Sequence, residues 1–194
     1  MPSNIQSLIN STIQQCIDVL KAGGVILYPT DTVWGLGCDA TNEDAVKKVY
    51  DIKQRNDAKS LIALVSSDAM LQKHVTEVPD LAWDIMDMAT KPTTIIYTKG
   101  KNLAPNVMAK DGSIGIRMIK EGFCNQLVHK FNSPLISTSA NISGRPSPLL
   151  FNDISTPIHS AVDYIVDHQL DQGNHQPSSI IKLGLKGEVE ILRK

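Results

Sequence analysis

The sequence predicts an α/β fold: one domain built on a mixed β-sheet with helices packed against it. Three observations predict it. Helix-period and strand-like segments alternate along the whole chain and do not segregate into blocks. Several strand candidates, Leu61 to Val65 among them, are short continuous apolar runs of the kind a buried strand needs. At 194 residues, 42% hydrophobic and 20% charged, the chain has the size and composition of a globular domain with one core.

The elements follow in order. Ile5, Leu8, Ile9, Ile13, Cys16, Ile17 and Leu20 recur at helical spacing, and Gly23-Gly24 ends that helix. Val25 to Tyr28 is a strand. Tyr28 to Asp39 (YPTDTVWGLGCD) reads as a loop, and Thr41 with Asp44 three residues on reads as a capping box. The helix it opens turns Val46, Val49, Tyr50 and Ile52 inward and ends near Lys53. Leu81, Ile85 and Met88 mark a further helix, and Thr93 to Tyr97 a strand. Ser113 to Ile119 alternates, with Ile114, Ile116 and Met118 on one face and Gly115 and Arg117 on the other. Phe123, Leu127, Val128 and Phe131 mark a helix, followed by a strand at Pro134 to Ile136. Asp163 to Val166, Ser179 to Leu183 and Val189 to Leu192 are the last strands. Pro146 to Pro157 and Gln169 to Pro177 read as flexible segments, rich in Pro, Gly and polar residues.

A net charge of -1 argues against a wholly basic nucleic-acid binder while leaving room for a local basic groove. The three cysteines are isolated and lack ligand spacing, so buried thiols in a reducing compartment are expected. The amphipathic N-terminus is not a secretion signal, and no apolar run approaches membrane-spanning length. A soluble, cytoplasmic protein is the expectation.

Four stretches carry groups suited to chemistry. Thr30, Asp31 and Thr32 lie just past a strand end, where α/β proteins bind ligands, and Gly35 and Gly37 permit tight turns or close approach. The competing reading is a structural turn with Trp34 plugging the core. Lys53, Arg55 and Lys59 sit between a helix end and a buried strand. They are either helix-capping charges, a solvated run, or a clamp for a polyanion. Arg117 is held in mid-strand beside Gly115, which favours a carboxylate or phosphate partner over a merely wet face. Ser137 to Gly144 (STSANISG) concentrates hydroxyls and an amide beyond what a turn needs, which favours anion binding. There is no GxxxxGK[ST] loop, no third glycine of a dinucleotide fingerprint, no zinc spacing and no recognisable Ser/His/Asp order.

Five ordered motifs, YPTDTVWGLGCDA, KQRNDAKSLIALV, GSIGIRM, PLISTSANISGRPSP and EVEILRK, together resemble the YrdC-like family of threonylcarbamoyl-AMP synthases. The match runs from about Gly24 to the end. It implies a single YrdC-like domain over residues 1–194, with a twisted mixed sheet and an open basic cavity. It also implies that L-threonine, bicarbonate and ATP give threonylcarbamoyl-AMP and pyrophosphate. A partner complex then transfers the threonylcarbamoyl group to adenosine 37 of tRNA. By the family pattern Thr32, Arg117, Ser137 and Ser178 match threonine-binding positions. Lys53, Arg55, Lys59, Ser139, Asn141, Ser147 and Arg193 match the nucleotide and phosphate side, with Lys53 and Arg55 as electrostatic catalysts and Mg²⁺ carried on the ATP phosphates. No metal-binding residue of the protein itself is expected. On strand parity Arg193 shares a face with Val189 and Ile191.

The chain departs from the pattern at Asn56, where proline is frequent, at Lys91-Pro92-Thr93-Thr94 in place of Pro-Gly-Pro-Thr, at Leu64 in place of histidine, and at Lys182 in place of aspartate. The last of these bears on Ser178. Two other functions compete: a module gripping tRNA or double-stranded RNA through Lys47, Lys48, Lys53, Arg55 and Lys59, and a carbamoyl-transfer domain of related fold.

Overall fold

A computed structural model describes residues 2–54 and 61–194, so Arg55, Asn56 and Lys59 lie outside the described residues. The chain opens with α1 (Pro2–Lys21), whose Ile13, Cys16, Ile17 and Leu20 are buried at helical spacing. Gly23, at φ +74°, ends it, and the Gly24 amide donates to Val19 O. Then come β1 (Ile26–Tyr28) and β2 (Gly35–Gly37), α2 (Glu43–Ile52), β3 (Ile62–Val65), α3 (Asp68–His74), α4 (Asp80–Met88) and β4 (Thr93–Tyr97). The remainder is β5 (Ile114–Met118), α5 (Gly122–Phe131), β6 (Leu135–Ser139), α6 (Thr156–Ala161), β7 (Tyr164–Ile165), β8 (Ser179–Leu183) and β9 (Val189–Arg193). Among the described residues no helix is long and apolar enough to cross a membrane.

Nine strands of the described residues form one sheet in the order β7-β1-β2-β6-β3-β5-β4-β8-β9. Pairs β1–β7, β3–β5 and β4–β8 are parallel and the other neighbours antiparallel, so the sheet is mixed, as expected. Cross-strand partners share a face. One row, Ile136–Ala63–Ile116–Ile95, is apolar and buried. The row on the other face runs Leu135–Leu64–Arg117–Thr94–Ile180–Arg193. That second face carries the candidate site.

Four local expectations change. Gly35–Gly37 is a strand antiparallel to β1, not loop, because a Cβ at Gly37 would lie 2.5 Å from Tyr28 Cε1, which leaves only glycine room there. The cap of α2 is Asn42, whose side chain accepts from the Ala45 amide. Thr41 instead turns its amide and hydroxyl to Asp39 Oδ1, at 2.8 Å each. Ser137 to Ser139 belong to β6, so the polar turn starts at Ala140. Arg193 leaves the face predicted by parity. Ile181 pairs with Ile191 while Ile180 pairs with Arg193, so Leu192 is an extra residue, and this bulge carries Arg193 over to the Arg117 face.

Candidate functional site

The loop between β1 and β2 is built on small hydroxyls. Thr30 Oγ1 donates to Val33 O (2.7 Å) and accepts from the Thr32 amide (3.1 Å), an arrangement that folds the chain tightly without glycine. With Thr30's proton so committed, Thr32 Oγ1 is the donor in their 2.9 Å contact. It thereby offers its lone pairs to Arg117, whose Nη2 donates to it at 3.2 Å. The same nitrogen donates to Asp31 Oδ1 at 2.9 Å, forming an ion pair in which the arginine side chain is 4% exposed and the aspartate 24%. Arg117 is therefore not on a wet face. Its Nε is buried with no hydrogen-bond partner among the described residues, a costly state that a ligand acceptor would relieve. Burial raises the Asp31 carboxyl above the ordinary range, against the opposing pull of Arg117.

Trp34 is fully buried, so it plugs the core as the structural reading of this segment expects. Its indole Nε1 donates to Asp171 Oδ2 at 2.7 Å, and its ring packs on Phe151 with centroids 4.8 Å apart. The stretch after Leu170 is not a loose linker. A Cβ on Gly173 would sit 2.8 Å from both Thr30 O and Thr32 O, and the His175 amide donates to Thr32 O at 2.8 Å. This strap presses on the loop that carries Asp31 and Thr32. Its cost includes His175 at φ +56°, a left-handed conformation uncommon for a residue with a side chain.

Across β2, Gly35 pairs with Ser139, and the Ala140 amide donates to Trp34 O (3.0 Å), which joins the loop to the turn after β6. A Cβ at Gly35 would stand 3.2 Å from Ser137 Oγ, so the glycine makes room for that buried hydroxyl. Lys53 is buried at the end of α2 and points its ammonium under the turn. Nζ donates to Ser139 O (2.6 Å) and Asn141 O (2.8 Å) and lies 3.3 Å from Asn141 Oδ1. Ser139 Oγ donates to Asn141 Oδ1 at 2.6 Å. Lys53 and the Ser139–Asn141 turn are thus one unit, while Ser147 lies exposed farther along.

On the other side of Arg117, Thr94 is fully buried and its hydroxyl meets Ser178 Oγ at 2.8 Å. Arg193 closes this group: Nε donates to Ser178 O (2.7 Å) and Nη2 to Ser178 Oγ (3.3 Å). Partial burial and the positive charge of Arg117 lower the proton affinity of the Arg193 guanidinium. Two guanidinium groups close enough to repel favour an anion at this face.

Thr32, Arg117, Ser178 and Arg193 are brought together, and Ser137 lies on the same face two residues along β6 from the Arg117 row. Asp31 was among the loop residues singled out from sequence, whereas Thr94 appeared there only as the last residue of Lys91-Pro92-Thr93-Thr94. Asp171 with Gly173 gave no signal beyond a polar, glycine-containing segment.

A cavity of about 550 Å³ reaches the loop at Thr30 and Asp31, while Thr32, Arg117, Ser178 and Arg193 do not line it. Pro29 to Asp31 line one part, Lys91 to Thr93 another, and Met118 with Lys120 to Cys124 a third. The lining holds Lys91 and Lys120 together with Asp31 and Glu121, so the expected basic cavity is not shown: these charges balance. Burial raises the proton affinity of the Cys124 thiol, which keeps it an inert wall residue.

A profile of the family described as "Telomere recombination", Sua5/YciO/YrdC, matches residues 18–194. A protein of Pseudoalteromonas translucida (strain TAC 125) named threonylcarbamoyl-AMP synthase is 36% identical over 182 residues, covering 92% of this chain and 96% of that one. A Methanocaldococcus jannaschii protein named putative threonylcarbamoyl-AMP synthase is 38% identical over 162 residues, 83% of this chain and 75% of its own length. Among solved structures, Sua5 of P. abyssi complexed with L-threonine superposes with a TM-score of 0.77 at 26% identity. That match covers 88% of this chain but 50% of the P. abyssi one, so the chain spans half of that protein. By profile, by sequence identity over nearly its whole length and by fold, this chain belongs to the Sua5/YciO/YrdC family.

Proposed function

We propose that the chain, as one domain over residues 1–194, is an L-threonylcarbamoyladenylate synthase acting on L-threonine, bicarbonate and ATP. The observation that carries this reading is Arg117, a buried guanidinium whose Nε has no partner among the described residues, near Thr32, Ser178 and Arg193. A buried site of that kind suits a small hydroxylated carboxylate. The names of the relatives and the threonine complex of P. abyssi Sua5 point the same way.

Threonine's amine and bicarbonate form a carbamate, whose oxygen attacks the α-phosphorus of ATP as pyrophosphate leaves. Two anions must meet, so fixed positive charge and positioning supply the catalysis. Arg117 takes the threonine carboxylate, and Thr32, Ser137 and Ser178 read its polar groups. Ser139, Asn141, Ser147 and Arg193 serve the nucleotide and its phosphates together with Arg55 and Lys59. Lys53, bonded to carbonyls of the turn, holds Ser139 and Asn141 in place and adds its charge from beneath. Mg²⁺ arrives as part of the ATP substrate. Among the described residues no cluster of three or more His, Cys, Asp or Glu side chains is placed to hold a metal ion, and an ion on phosphate and water oxygens needs none. The product passes to a tRNA-modifying transfer complex in the cytoplasm.

The test is pyrophosphate release with each substrate omitted in turn, in the wild type and in Arg55→Ala and Arg117→Ala. Release should require threonine and bicarbonate, and each variant should lose about tenfold to a hundredfold, the worth of one charge-assisted contact. Release without threonine, or full activity in both variants, would end this reading.

A further inference from the structure

We infer that Asp31 receives the α-ammonium group of the amino acid, so that Arg117 and Asp31 together form a receptor for a zwitterion. The inference rests on the reading that an amino acid is the substrate. An α-amino acid presents a carboxylate and an ammonium on neighbouring atoms, and a complementary site needs a cation and an anion equally close. Arg117 and Asp31 supply that pair at 2.9 Å.

The division of contacts fits the two ends of such a ligand. Two bonds at Nη2 go to Asp31 Oδ1 and Thr32 Oγ1, while Nε is buried without a partner among the described residues. On the aspartate, Oδ1 is engaged, while the side chain is a quarter exposed and lines the 550 Å³ cavity. Asp31 is also held from both sides. Thr30 and Thr32 fold the loop from within, and the amides of Asn174 and His175 donate to Asp31 O (3.4 Å) and Thr32 O (2.8 Å) from outside. A carboxylate fixed so firmly at a cavity wall is oriented before any ligand arrives, which removes part of the cost of ordering it. The other acid of the wall, Glu121, is exposed and has no described contact with Arg117. Lys120, the cation nearest in sequence, spends its ammonium on Met86 O at 2.6 Å. Asp31 is therefore the acid that stands beside the carboxylate-binding group.

A residue that merely neutralises Arg117 would make a different prediction. Binding of L-threonine and of (R)-3-hydroxybutyrate, which keeps the carboxylate and hydroxyl but lacks the ammonium, is to be measured by chemical-shift titration in the wild type, Asp31→Asn and Asp31→Glu. The wild type should prefer threonine. Asp31→Asn should weaken threonine by about tenfold to a hundredfold while changing the analogue less than about twofold, closing the gap. Asp31→Glu, which retains the charge, should restore part of the preference. Equal weakening of both ligands, an unchanged preference in Asp31→Asn, or closure of the gap by Glu121→Gln instead would each overturn the inference. A wild type that binds neither threonine nor the analogue would end the functional reading itself. Threonine binding with a surviving gap in Asp31→Asn would end only the role of Asp31.

Discussion

Gly173→Ala gives the clearest test of how the site is held, because two accounts of the same segment predict opposite signs. If residues 169–177 were a flexible connection, as their composition suggests, alanine would restrict the unfolded chain and stabilise the protein by about 0.4–1 kcal/mol. In the structure the added Cβ meets two backbone oxygens, Thr30 O and Thr32 O, both at 2.8 Å. Ordinary contact begins near 3.4 Å, so loop and strap must part by roughly half an ångström. Neither oxygen belongs to a side chain that can swing away. Overpacking of this kind costs about 1–3 kcal/mol, and at about 2–4 °C per kcal/mol for a chain of this size the melting temperature falls measurably. The strain acts on the loop bearing Asp31 and Thr32, so the affinity for threonine should fall along with stability. Urea unfolding and threonine titration of the variant provide the assay. A stabilised variant with unchanged threonine binding would refute the packing of the strap on the loop.

Two further outcomes follow from buried polar groups. Asp171→Ala leaves the buried Trp34 indole N–H without its acceptor, which should destabilise the fold by about 1–3 kcal/mol. Trp34 is inside the core while Trp83 is half-buried, so tryptophan fluorescence should report the change, and an unchanged unfolding midpoint would contradict it. His74 is buried with Nδ1 3.0 Å from Asn102 O, and burial holds its proton affinity below the ordinary value of 6.5. A depressed histidine contributes stability that is full above 6.5 and is lost as pH falls through the lower folded-state value. The wild type should therefore lose more stability than His74→Gln between neutrality and about two pH units lower. Equal losses in denaturant titrations would rule this out.

Much of the architecture was legible in order of elements, because apolar spacing within ten or twenty residues decides helix from strand. The face of Arg117 was legible too, since alternation in Ser113 to Ile119 is a property of the strand alone. The hydroxyl-rich stretch after Pro134 was marked by composition, though pairing with β2 and β3 carried the strand on through Ser139. Parity failed at Arg193 because a bulge depends on the partner strand, and Leu192 shows no sign of one when β9 is read alone. The strap failed for the same reason: Gly173 is chosen by two carbonyls more than a hundred residues away.

The sequence by itself determined the alternation of helices and strands, the polar clusters beyond their ends, and the family those motifs resemble, since all of these are written in local spacing. Tertiary structure alone decided that Asp31 faces Arg117, that Lys53 lies beneath the Ser139–Asn141 turn and that Arg193 crosses to Ser178. Such pairings belong to strand register and close packing between distant segments, and local periodicity carries no record of which segments will meet.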